Sequence, residues 1–117
     1  MDYETKKKVL RLFTYGMYVV SAHHNGEDNA FLANWLSQCS FDPPLVMVSV
    51  ETDSRTLPMI RGSGFFAVHI LASGQRKFAG MLGKSSRTIP DKLKKVRWHP
   101  NPTPRTTGLL RAFRCVV

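Results

Sequence analysis

The first 13 residues place Val9, Leu10 and Phe13 on one helical face and leave Lys6, Lys7, Lys8 and Arg11 for solvent, which predicts a short helix over residues 3–13 ended by Gly16. Residues 18–22 are aromatic and β-branched and read as a strand. Asn25-Gly26 follows, a dipeptide that favours the positive φ values of a tight hairpin turn, with a second strand expected near residues 29–32. Residues 33–42 are small and polar apart from Trp35, Leu36 and Phe41 and end at Pro43-Pro44, so they read as an irregular, site-like segment. Residues 45–50 are almost wholly apolar and predict a strand buried on both faces. Residues 52–56 carry helix-starting side chains, Pro58 is tolerated in a first turn, and Gly62-Ser63-Gly64 should stop that helix near Arg61. A fourth strand is expected over residues 65–71 and an amphipathic helix over residues 73–81, with Phe78, Met81 and Leu82 turned inward. Glycine, serine and proline punctuate residues 83–108 as a basic loop, and residues 110–117 read as a fifth strand. That strand has no turn and no partner after it, so either the chain is cut short or another subunit finishes the sheet.

With 117 residues and 43% apolar content, one domain spanning residues 1–117 is expected. The 8 glycines and 7 prolines are near average and no short repeat recurs, which excludes collagen-like, mucin-like and coiled-coil classes. Apolar runs fall far short of the roughly 18 residues that span a bilayer. The charged N-terminus leads into no long apolar run, so a secretory leader is not expected and the cytoplasm is the expected location. Cys39 and Cys115 are too few for a disulfide scaffold. Charge is unevenly spread: residues 1–60 hold 5 Lys/Arg against 7 Asp/Glu, a net −2, whereas residues 61–117 hold 12 against 1, a net +11. Such an excess attracts phosphates of any kind.

Familiar catalytic signatures are missing: there is no GxSxG, HExxH, P-loop or GxGxxG after a strand. His23, His24, His69 and His99 have no carboxylate or cysteine at ligand spacing and read as turn or core residues, so no metal is expected. The segment from Asn29 to Pro44 is different. Its asparagines, serines and glutamine on extended backbone suit a flat heteroaromatic ring, and Ser54-Arg55-Thr56 at a helix start suits a phosphate. Ring and phosphate together suggest FMN; the same residues also read as a plain hairpin loop and a helix cap.

Tyr15-Gly16 with Val19-Val20-Ser21-Ala22, Ala33-Asn34-Trp35, the run from Ser37 to Pro44, Ser54-Arg55-Thr56 and the stretch from Gly64 to Leu71 together resemble the flavin reductase-like, FMN-binding split-barrel proteins. The resemblance covers about residues 8–117 in unbroken order. It implies a mainly β (α+β) fold, a split β-barrel with short flanking helices that is incomplete at the C-terminus, and a homodimer. It also implies FMN, or less often FAD, as cofactor and NAD(P)H as co-substrate, with a partner oxygenase or other electron acceptor downstream. Carried over by position, Ala33, Asn34 and Trp35 meet the isoalloxazine edge. Ser37, Gln38, Cys39 and Ser40 meet its polar edge and the ribityl chain, and Ser54, Arg55 and Thr56 meet the phosphate. Leu32 stands where the family often has Thr. Family members continue into further strands and often a Gly-x-His segment near the nicotinamide, so the expectation for this chain is better flavin retention than NAD(P)H oxidation. Because the cofactor carries the chemistry, no acid/base set is expected, and catalytic residues are left unassigned. Two other readings stand beside this one: an FMN-holding electron-transfer module without a nicotinamide site, and a basic nucleic-acid binder. The second of these lacks the interleaved aromatics that stacking on bases needs.

Overall fold

The computed structural model describes residues 1–85 and 112–114. Its elements, in chain order, are α1 (Tyr3–Leu10), β1 (Tyr18–His24), β2 (Glu27–Ala33), β3 (Leu36–Phe41), β4 (Pro44–Val48), α2 (Thr56–Ser63), β5 (Phe65–Ile70), α3 (Arg76–Leu82) and β6 (Ala112–Arg114). The architecture is mainly β with short flanking helices, as expected from the sequence. Four strands form one antiparallel sheet in the order β2-β1-β5-β6, and β3 and β4 form a separate two-stranded sheet.

The β1–β2 turn is the one the sequence predicts. Asn25 has φ 51° and Gly26 has φ 75°, and the pairing closes with His24 opposite Glu27. Alternation along β1 then sends side chains to two different helices. Val20 and Ala22 join Met59 and Ile60 of α2, together with Ala33, Phe66 and Val68, in one core. Val19 packs on the other face with Ala30 and Leu82, the last residue of α3. β1 is therefore covered on both faces, and Val19 and Val20 are completely buried. Burying each valine side chain contributes about 1.5 to 3 kcal/mol.

Three sequence expectations need correction. Residues 45–50 are not buried on both faces: β4 lies in the small sheet, where Leu45 is 38% and Met47 61% exposed. Its other face, with Val48 and the neighbouring Leu36 and Val50, packs against the α2-side core. A continuous apolar run was compatible with double burial, but a two-stranded sheet has only one core to lie on. The second correction is at residues 36–41, which form a regular strand with one bulge between Gln38 and Ser40 rather than an irregular segment. The third is α1, which stops at Leu10 and buries none of its residues. After Leu10 the chain tightens into i→i+3 bonds, Leu12 N–H to Val9 O and Phe13 N–H to Leu10 O, so Phe13 never joins the helical face with Val9 and Leu10.

What starts α1 is Asp2. Its carboxylate accepts from the Thr5 hydroxyl at 2.6 Å and the Thr5 amide at 2.8 Å, and these bonds, the hydroxyl first, hold its pKa below the usual value. At the other strand-flanking helix, α2 ends where Gly64 takes a left-handed φ of 75° and donates its N–H to Ile60 O at 2.8 Å. α3 buries Ala79 and Leu82 and leaves Met81 half-buried; the Phe78 side chain lies outside the described residues. So do Cys115, His99 and the basic stretch from residue 86, while Ala112–Arg114 confirms a strand within the last predicted one.

Two glycine-to-alanine changes should move stability in opposite directions. Gly64→Ala forces an L side chain into the left-handed region and should cost about 1 kcal/mol. Gly80→Ala, on the exposed side of α3 with open space around it, should gain up to about 1 kcal/mol through helix propensity. Urea midpoints of the two variants against the parent check both signs.

Candidate functional site

A cavity of about 730 Å³ opens where β2, the edge strand among the described residues, the loop before α2 and the end of α3 meet. Phe31, Leu32 and Ala33 supply the strand wall, Asn34 and Trp35 the crossing to the second sheet, and Ser49, Val50 and Glu51 the return. Asp53, Ser54, Arg55 and Thr56 form the helix-start wall, and Leu82 to Ser85 the far rim.

Local bonds explain why these segments converge. Ser49 N–H donates to Trp35 O at 2.9 Å, which ties the base of the β3–β4 hairpin and brings residues 49–51 beside 34–35. Ser54 N–H donates to Glu51 O at 3.1 Å, turning the chain toward α2. The Ser54 hydroxyl accepts from Leu57 N–H at 3.2 Å, so Ser54 does the capping although Arg55 occupies the residue before the helix. Thr56, the first helical residue, accepts from Asn29 Nδ2 at 2.9 Å, and both side chains are buried, at 1% and 2% exposure. That bond fastens the start of α2 to β2. Arg55 reaches back across the surface, its Nη2 3.3 Å from Glu27 Oε2.

The hairpin register adds backbone chemistry to the strand wall. In a two-residue hairpin closed by His24 opposite Glu27, every second pair exchanges both main-chain bonds. The alternate residues Asp28, Ala30 and Leu32 therefore direct their N–H and C=O groups away from β1, along the sheet edge. Leu32, one of these residues, lines the cavity. Near the rim, a Cβ on Gly83 would stand 3.2 Å from Leu32 Cδ2, a measure of how closely the end of α3 approaches this wall.

Of the ten residues the sequence singles out, six lie on the cavity: Ala33, Asn34, Trp35, Ser54, Arg55 and Thr56. Two of these have specific positions to note: Thr56 is buried and bonded to Asn29, and Arg55 is engaged by Glu27. Ser37, Gln38, Cys39 and Ser40 lie on β3 and are not among the cavity's walls. The first three are exposed, and their side-chain bonds are local: Ser37 Oγ donates to Gln38 O at 3.1 Å and Cys39 Sγ to Ser37 O at 3.6 Å. Leu32, Asp53 and Gly83 also line the cavity, and Phe31, Ser49, Val50, Glu51, Leu82, Lys84 and Ser85, which carry no motif of their own, complete it. His23 does find a carboxylate, Asp28, whose Oδ1 lies 2.6 Å from Nδ1 across the hairpin. Spacing along the chain hid it, because the turn brings the two residues opposite each other. Among the described residues no group of three His, Cys, Asp or Glu side chains could hold a metal ion, and no helix is long and apolar enough to cross a membrane.

A slot with aromatic and aliphatic walls, a strand edge and a helix start bearing an arginine is suited to a planar ring system joined to an anionic group. Comparison with known proteins shows the family. Residues 10–117 match the family described as flavin reductase like domain, and the chain belongs to that family. It is 29% identical over 119 residues to the reductase subunit HsaB of a flavin-dependent monooxygenase from Mycobacterium tuberculosis, a match that covers 100% of this chain and 62% of that protein. With the FMN reductase (NADH) SmoA of Agrobacterium fabrum it shares 28% identity over 111 residues, covering 93% of this chain and 62% of the relative. Among solved structures, the Streptomyces globisporus NADH:FAD oxidoreductase SgcE6, in complex with NAD and FAD fragments, superposes with a TM-score of 0.79 at 26% identity over 92% of this chain and 63% of that one. The chain thus spans less than two thirds of the length of these relatives.

The Asn29–Thr56 bond can be tested directly. Thr56→Val removes the acceptor and should cost about 1 to 3 kcal/mol in chemical denaturation, whereas Thr56→Ser, which keeps the hydroxyl, should cost less. A Thr56→Ser cost above that of Thr56→Val would show that the methyl group, not the bond, holds α2 in place.

Proposed function

We propose that this chain forms the flavin site of a flavin reductase that takes electrons from NAD(P)H and passes reduced flavin, or its electrons, to a partner oxygenase or other acceptor. The observation that carries the proposal is the convergence of Ala33-Asn34-Trp35 and Ser54-Arg55-Thr56 on one cavity at the edge of β2. FMN is the flavin proposed, with FAD the alternative. The names of the relatives support the nicotinamide and monooxygenase parts of the reading.

The residues would divide the work as follows. Arg55 is the only Lys/Arg between Arg11 and Arg61 and would hold the phosphate, with the first turn of α2 beside it. Phe31, Leu32, Trp35 and Val50 would exclude water from the ring faces. The outward amide groups at Leu32 and the Asn34 side chain would orient the ring's polar edge. Bound there, the flavin would supply the two-electron redox chemistry for which the protein needs no acid/base pair. Ser37, Gln38, Cys39 and Ser40 stand outside the cavity of one chain, and a homodimer would bring a second copy against them. The hairpin that carries them supports this, since Trp35, Phe41 and Met47 are 60%, 85% and 61% exposed.

Titration with FMN, followed by visible spectra before and after NADH or NADPH, tests the reading. Bound flavin that bleaches is the expected result; protein that binds no flavin overturns the proposal, and yellow colour that persists removes the nicotinamide half of it. Arg55→Ala should weaken FMN by about 1.5 kcal/mol, the low end for a hydrogen bond to a charged group, because Arg55 is part-exposed and already meets Glu27. Sedimentation at micromolar concentration should give a dimer, and a monomer would place Ser37 to Ser40 outside the site altogether.

A further inference from the structure

We propose that Glu27 is a specificity-determining residue of this cavity: its carboxylate competes with a flavin's phosphate for Arg55 and so sets how strongly the site prefers FMN over riboflavin. The inference rests on the flavin reading above and extends it to a residue outside the cavity walls.

The position of Glu27 is fixed by the fold. It is the first residue of β2, opposite His24 and directly after the turn held by the positive φ values of Asn25 and Gly26. Period-two alternation turns Glu27 and Asn29 to the α2 side of the sheet and Asp28 to the other side, where it pairs with His23. Asp28 therefore cannot stand in for its neighbour. From the α2 side, Glu27 Oε2 lies 3.3 Å from Arg55 Nη2, a partner 28 residues along the chain.

Charge gives this contact its consequence. The cavity walls carry Glu51 and Asp53 against Arg55 and Lys84, so the described walls hold two carboxylates and two cations. Glu27 adds a third carboxylate, directed at the cation best placed for a phosphate. A phosphate seated on the same guanidinium comes close to Glu27 and is repelled by it, at an effective dielectric below that of water. Riboflavin offers the same ring and ribityl chain without that charge and does not meet the penalty. Since Glu27 does not line the cavity, replacing it leaves the ring contacts in place.

Flavin-fluorescence titrations of the parent, Glu27→Gln and Glu27→Asp with both FMN and riboflavin test the assignment. Glu27→Gln should tighten FMN about two- to fivefold, the worth of an exposed ion pair, while leaving riboflavin unchanged. Glu27→Asp keeps the charge but withdraws it by one methylene and should fall between. The gain should vanish when Arg55→Gln is added. An FMN-to-riboflavin ratio that is unchanged in Glu27→Gln overturns the proposal. A ratio that narrows also overturns it, because it would mean that the carboxylate holds the guanidinium ready for phosphate. If Glu27→Gln does not fold, the same ratio in Glu27→Asp decides. A parent protein that binds neither flavin overturns the flavin reading itself; one that binds both with a ratio insensitive to residue 27 overturns only the role of Glu27.

Discussion

One buried hydrogen bond, from Asn29 to Thr56, sets the geometry on which the cavity depends. An amide and a hydroxyl removed from water cost free energy unless they satisfy each other, and here they do so between the edge strand and the first residue of α2. The pair also guards register. A slip of one residue in β2 would carry Asn29 to the opposite face, among Val19, Ala30 and Leu82, where an apolar cluster offers its side chain no partner. The apolar contacts of β1 would tolerate several small adjustments, whereas this bond selects one. With α2 so fixed, the loop from Glu51 to Arg55 has to lie along the edge of β2.

The cavity then inherits different chemistry from each contributor. The edge strand brings apolar side chains and outward main-chain groups, because its other main-chain groups are used by β1. The helix start brings hydroxyls, an arginine and a favourable dipole. The carboxylates, Glu51 and Asp53, come from the connecting loop. No single segment encloses the cavity in isolation, and what brings the walls together is the crossing at Asn34 and Trp35, where the chain leaves one sheet for the other.

Local patterns made part of this legible. The Asn25-Gly26 turn, the β1 and β5 strands and the α2 stop at Gly64 each follow from residues adjacent in sequence, and the structure has them where expected. Ser54-Arg55-Thr56 suits a phosphate by residue type and place, whereas Ala33-Asn34-Trp35 was singled out only through the resemblance to flavin reductase-like proteins. β3 was hidden: Ser37, Gln38, Cys39 and Ser40 have no apolar alternation, and their strand geometry comes from pairing with β4. The exposure of β4 was hidden too, since an apolar run does not reveal how many cores surround it. Glu51, Lys84 and Ser85 reach the cavity only through tertiary folding, and Glu27 meets Arg55 for the same reason. Long-range pairings of this sort leave no trace in spacing.

Gly83 gives the site a route for change. The end of α3 approaches the strand wall so closely that a side chain at position 83 must displace Leu32, whose Cδ2 would be 3.2 Å from the new Cβ, while Ala79 O stands at 3.4 Å behind it. Backbone cannot yield cheaply, but the end of a leucine can. Drift at this one codon would therefore be expressed in the shape of the cavity before it reached the sheet, making position 83 a point where cavity shape and fold can evolve separately.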